Sequence, residues 1–169
     1  MKIEVKNISV NLANSEETHC FSAVVRVDGK KAFAVRNKGH GGCDIIDQIP
    51  GYDGPDQATV NQWLKDNRPA NTEHGITIEH DLEIEISEQV NAFLAARERK
   101  KIETKFTKIM AGECVGLKDG SFYTWKAAPT AENLKKLREA KPEYEFVNDG
   151  DAATRERALK AYCPDFAEA

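Results

Sequence analysis

No apolar run in this chain approaches the ~18 residues that a membrane-spanning helix needs. The start, Met1-Lys2-Ile3-Glu4-Val5-Lys6, has neither the apolar core nor the cleavage site of a secretory signal. Residence in the cytoplasm is therefore expected, with no membrane partner. A basic excess is missing too. Lys and Arg number 24 against 28 Asp and Glu, a net charge of -4. Domains that coat nucleic acid are usually strongly basic, so nucleic acid is not the expected partner. Cysteine is sparse and irregularly spaced, at Cys20, Cys43, Cys114 and Cys163, which gives no disulfide framework. In a reducing compartment these are thiols or metal ligands.

What is present is enough apolar sequence for a core. Hydrophobic residues make up 40% of the 169 positions, the proportion of a globular domain and not of a disordered chain. No repeat and no low-complexity linker interrupts it. We read residues 1–169 as one domain, with lobes at 1–50 and 56–169.

The first segment alternates, with one break. Ile3 and Val5 share one parity, and Ile8, Val10 and Leu12 share the other. A shift near Lys6-Asn7 is what a β-bulge produces, so residues 2–12 read as one bulged strand. After the polar turn Asn14-Ser15-Glu16-Glu17, two alternating stretches, His19–Arg26 and Lys31–Asn37, flank Asp28-Gly29. That dipeptide is a strong hairpin signal. A three-residue loop, Val27-Asp28-Gly29, pairs Val25 with Lys31, Ala23 with Phe33, and Phe21 with Val35. One face then collects Phe21, Ala23, Val25, Phe33 and Val35. A two-residue turn would set Phe21 against Arg36 and spoil that face, so the longer loop is preferred.

Glycines and prolines fill residues 38–55, which read as an ordered loop. A helix follows near Asp56–Asn67, carrying Val60, Trp63 and Leu64. Arg68–Gly75 is a further loop. Residues 76–86 fit a strand or a helix, and a helix over Asp81–Lys101 is favoured, with Asp81 as N-cap. The last third reads strand, strand, helix, strand, helix. Its strands are Thr104–Met110 and Ser121–Lys126, joined through Gly112, Gly116 and Asp119-Gly120, then a strand at Tyr144–Val147. Its helices start at Thr130 and Asp151. The fold class is α+β: an N-terminal antiparallel β-meander with a bulged first strand, then helices and a small C-terminal part.

The chemically unusual stretch is Lys38-Gly39-His40-Gly41-Gly42-Cys43. In the preferred register Cys20 lies opposite Arg36 and His19 opposite Asn37, so His19, Cys20, His40 and Cys43 gather at one end of the hairpin. His40-Gly41-Gly42-Cys43 has the two-residue gap of paired zinc ligands. Cys20 or His19 would be a third ligand, but not both, because neighbours on a strand face opposite ways. Asp44 or Asp47 could complete such a site, and zinc is the cofactor it would take. Alternatively, Lys38, Gly39, His40, Gly41 and Gly42 form a nest of backbone N–H groups for a phosphate or carboxylate, although neither a P-loop nor a dinucleotide fingerprint is present. A Cys-His nucleophilic pair is a further reading. The plainest is an ordered turn, with glycines at positive φ and Cys43 as a small hydrophobe.

A second feature is the basic run Arg97, Arg99, Lys100, Lys101, Lys105 and Lys108, with Phe106 and Trp125 as potential base-stacking partners. Its simplest explanation is a solvated helix end. Glu83 and Glu85 read as one wet face, and His74 and His80 as surface or capping residues.

At the Ser15-Glu16-Glu17-Thr18 turn, the Phe21 hairpin and Gly39-His40-Gly41-Gly42-Cys43, the sequence resembles small uncharacterised proteins encoded by bacteriophages and prophages. The likeness covers the first 45 residues best and extends loosely through Val90–Arg99. It implies a genomic context, not a mechanism. Small phage accessory proteins often bind a host protein, including parts of a defence system. The expected function is therefore a phage accessory protein that binds a host protein in the bacterial cytoplasm, with a counter-defence role. A zinc- or phosphate-binding protein centred on Gly39–Cys43 is the alternative, and nucleic-acid binding through Arg97–Lys108 the second.

Overall fold

The alternation of the first fifty residues becomes a four-stranded antiparallel sheet in the computed structural model, which describes residues 1–73 and 76–164. Its strands are β1 (Ile3–Val10), β2 (Cys20–Val27), β3 (Lys30–Lys38) and β4 (Ile45–Gln48), paired in chain order. The expected bulge in β1 is there. Register shifts by one residue between Lys6 and Ser9, and Asn7 takes a φ of 55°. Ile3 and Val5 are buried before the shift, and Ile8 and Val10 half-buried after it. Leu12 lies beyond the strand, in a 3-10 turn over Leu12–Asn14.

The β2–β3 hairpin has the expected core face but a different register. Asp28 and Gly29 both have positive φ, 48° and 83°, the signature of a two-residue type I′ turn. Val27 pairs Lys30 and Arg26 pairs Lys31, but Val25 then pairs Phe33, so Ala32 is an extra residue on β3. This bulge restores parity. Phe21, Ala23, Val25, Phe33 and Val35 are all buried on one face, as expected, but by a route the three-residue loop did not contain. Phe21 therefore faces Asn37, not Val35, and Cys20 faces Lys38, not Arg36.

The stretch 38–55 is not all loop. β4 pairs β3, with Arg36 opposite Ile45 and Phe33 opposite Gln48. It is a short edge strand, so no long alternation announces it. Helix α1 (Gln57–Asn67) is capped by Asp56, whose side chain accepts from Thr59 N, and buries Val60 and Leu64. Asn71–Glu73 (β5), inside the expected Arg68–Gly75 loop, pairs Ile76–Ile78 (β6) in a two-stranded ribbon. The ambiguity at 76–86 resolves as both: strand first, then helix from Leu82. His74 lies outside the described residues.

Helix α2 (Leu82–Gly112) is the main departure. It runs through Thr104–Met110, which was expected to be a strand. Phe106 and Met110 are buried at i, i+4 spacing, with Ile102 and Ile109 half-buried beside them. The expected first strand of the C-terminal part is instead β7 (Cys114–Lys118), with Gly116 at its centre. It pairs β8 (Ser121–Trp125) and β9 (Glu145–Phe146), in the order β8-β7-β9. Helices α3 (Ala131–Ala140) and α4 (Ala152–Tyr162) are capped by Thr130 and Asp151, their expected starting residues.

The chain divides into two compact units, Met1–Phe93 and Leu94–Ala169, with the division inside α2. The first holds the meander, α1 and the first turns of α2. Gln89 of α2 is tied to β1: its Oε1 accepts from Val5 N at 2.7 Å, and its Nε2 donates to Ile3 O. The second unit is centred on Phe106, Met110, Val115, Leu117, Val147 and Ala158. No described helix is long and apolar enough to cross a membrane.

Candidate functional site

The true register decides what Asn37 does. It shares parity with Phe33 and Val35, so it turns to the core side and is only 8% exposed. Its side chain holds the glycine loop. Oδ1 accepts from Thr18 Oγ1 at 2.9 Å and from Gly39 N at 2.8 Å. Nδ2 donates to Gly42 O at 2.9 Å and to Asp44 Oδ1 at 2.8 Å. A buried amide whose donor and acceptor are both used is a rigid hub.

The loop is locked from its other side as well. Gly39, at φ 89°, presents its carbonyl to the backbone N–H groups of Glu16, Glu17 and Thr18, at 2.9, 3.1 and 3.4 Å. A nest of three consecutive donors thus exists, but Gly39 O fills it. Of the loop's own donors, Gly39 N goes to Asn37 and Gly41 N to Thr18 Oγ1. The Glu17 carboxylate lies where a Cβ on Gly41 would stand. A bound phosphate at Lys38–Gly42 would meet that carboxylate and an already occupied nest.

The expected metal cluster does not assemble. Among the described residues, no three of His19, Cys20, His40 and Cys43 bring ligand atoms within 4.8 Å of one another. His40 Nδ1 lies 3.1 Å from Glu16 Oε2, both exposed. His19 Nε2 lies 3.2 Å from Asn91 Oδ1. Cys43 is exposed, and Cys20 is half-buried with its N–H donated to Ser15 Oγ. No hydrogen bond joins either cysteine to His40 among the described residues, so the nucleophile–base pair is not formed.

What the loop does shape is a cleft of about 520 Å³ between the hairpin end and the first turns of α2. Phe21 and Val90 supply apolar surface. Glu16, Glu17, Asp44 and Glu83 bring four carboxylates; His19 also lines it, and no Lys or Arg does among the described residues. Asp44 N donates to Glu83 Oε1 at 2.7 Å, which brings the two acids together. Asp44 Oδ2 is buried without a hydrogen-bond partner. Burial pushes the Asp44 carboxyl above its ordinary range; the Asn37 hydrogen bond opposes this and the Glu83 charge adds to it.

A carboxyl whose pKa is raised by folding is harder to ionise in the folded state, so its ionisation costs stability above that pKa. The cost is relieved as pH falls through the raised value toward the ordinary 3.8. Asp44→Asn removes the charge, and its amide oxygen can still accept from Asn37. We expect the variant to be the more stable at neutral pH, with the difference shrinking through that window in urea unfolding. A difference independent of pH would contradict this origin.

The basic run lies on α2 in the second unit. The helix brings Arg97, Lys101, Lys105 and Lys108 to one side at i, i+4, i+8 and i+11. Lys101 pairs Glu98, and Arg99 lies 4.0 Å from Glu103; Arg97, Arg99, Lys100 and Lys101 are all exposed. Both candidate stackers are engaged elsewhere. Phe106 packs in the core with Phe122 and Tyr162, and Trp125 against Tyr144 and Phe146.

Asn37 and Glu83 were not expected at the site, and Asp44 only as a further zinc ligand. Asn37 had a signal, a polar residue on the parity of Phe33 and Val35. Asp44 and Glu83 are 39 positions apart, and nothing local links them. No family model, curated protein or solved structure matches the chain.

Proposed function

We propose that this protein works by binding a partner protein, and that the acid-lined cleft receives a Lys or Arg side chain of that partner. The carrying observation is Asp44: a buried, unpartnered carboxylate oxygen beside Glu83, in a cleft with no lysine or arginine among its described lining residues. A guanidinium offers five donors in a plane and suits paired carboxylates. Its charge would also favour ionised Asp44. The apolar surface from Phe21 and Val90 suits the methylene stem of such a side chain.

The resemblance to phage-encoded proteins supports a bacterial host protein as the partner, in the cytoplasm, with counter-defence as the role. The locked glycine loop fits a binding protein, because a rigid rim loses little entropy on association. The test is capture from bacterial lysate with wild type and with Asp44→Asn/Glu83→Gln. We expect a stoichiometric partner whose retention falls at least about tenfold in the variant, as for a truncated buried charge pair. Equal retention by both proteins would overturn the assignment of the cleft.

A further inference from the structure

We propose that His80, Glu85 and Glu88 form a binding site for a divalent transition-metal ion. One ligand atom from each lies within 4.8 Å of the other two. His80 Nε2 and Glu85 Oε2 are 3.1 Å apart. Tetrahedral bonds of ~2.0–2.2 Å separate neighbouring ligand atoms by ~3.3–3.6 Å, so these two already stand near that spacing. Glu88 lies one helical turn beyond Glu85, on the same side of α2.

Two of the three ligands, His80 and Glu85, are held in place. His80 and Glu85 are only 8% and 4% exposed. His80 immediately precedes Asp81, whose Oδ1 accepts from Ile84 N at 2.9 Å and so fixes the helix start. The second oxygen of Glu85, Oε1, accepts from Arg68 at 3.2 Å and from Gln89 at 2.8 Å. Oε2 is thereby turned toward His80. Gln89 is itself held by β1 at Val5 and Ile3. Outer partners of this kind orient ligands in metal sites.

A cleft of about 540 Å³ opens here, lined by Arg68, Ile78, His80, Ile84 and Glu88 among others. An ion held by three side chains would thus keep a position open to water or to a small ligand, the arrangement of exchangeable sites. The site uses no sulfur and none of the residues of the acid-lined cleft, so it stands apart from the partner-binding proposal.

The test is titration of the untagged full chain with zinc and with cobalt(II). We expect one ion per chain. The cobalt spectrum should lack the intense sulfur-to-metal charge-transfer band that Cys20 or Cys43 would give. Glu88 is exposed, so Glu88→Gln should fold normally and bind at least about tenfold more weakly. His80→Asn is the second variant, with its fold checked by circular dichroism. His40→Ala and Cys43→Ser should bind as wild type does. No saturable binding, undiminished binding by Glu88→Gln, or a sulfur band lost in Cys43→Ser would overturn the site.

Discussion

Gly39→Ala is expected to destabilise the protein by about 3 kcal/mol or more in urea unfolding. Two causes add. Gly39 sits at φ 89°, a conformation that side chains rarely adopt. An added Cβ would also overlap the Asn14 carbonyl oxygen and stand 2.9 Å from Cys20 Cβ. Both neighbours are fixed: Asn14 belongs to the 3-10 turn, and Cys20 opens β2. Relief would have to move Gly39 O away from the N–H groups of Glu16, Glu17 and Thr18. Gly42→Ala is the matched control. A Cβ there meets nothing within 4 Å, so we expect a change within ~0.5 kcal/mol. Equal stability of the two variants would show that the loop is not the lock described.

Asn37→Leu is expected to cost about 3–5 kcal/mol, because several groups lose their partner at once. Leucine shares asparagine's branching at Cγ but is larger and has no polar atom. Gly39 N, Gly42 O and Asp44 Oδ1 would each be left facing an apolar side chain. The Asn37 hydrogen bond also limits the rise of the Asp44 pKa. Its loss should raise that pKa further, so the ionised carboxylate penalises the fold more at neutral pH than at acid pH. The destabilisation should therefore diminish as pH falls through the Asp44 value. A stability change well under 1 kcal/mol, or none in the carboxyl titration followed by NMR, would remove Asn37 as the hub.

Much of this fold is legible because strand alternation is local. The buried set on β2 and β3 follows from parity alone, and parity survives errors of register by two. The register itself does not. The Ala32 bulge leaves no side-chain signature, and it exchanges Val35 for Asn37 opposite Phe21. That exchange carries the whole site. Helix α2 had a readable signal of another kind, since no glycine or proline occurs between Gly75 and Gly112. The β-branched and aromatic residues at Thr104–Ile109 outweighed it locally, but burial of Phe106 and Met110 decides in favour of helix. Strand β4 is short enough that only its partner β3 defines it. Asp44 and Glu83 meet through the packing of α2 on the sheet, and His80 with Glu85 and Glu88 through a helix start that sequence alone left ambiguous.

Whether the cleft beside the glycine loop accepts a cationic side chain is decided by NMR titration. The ligands are acetyl-arginine amide and its neutral isostere acetyl-citrulline amide. We expect saturable shifts at the Asn37 side-chain amide and the Gly42 and Asp44 backbone amides with the arginine ligand. We expect none with citrulline, and loss of the response in Asp44→Asn/Glu83→Gln. Equal responses to both ligands, or an arginine response undiminished in that variant, would contradict cation binding in the cleft.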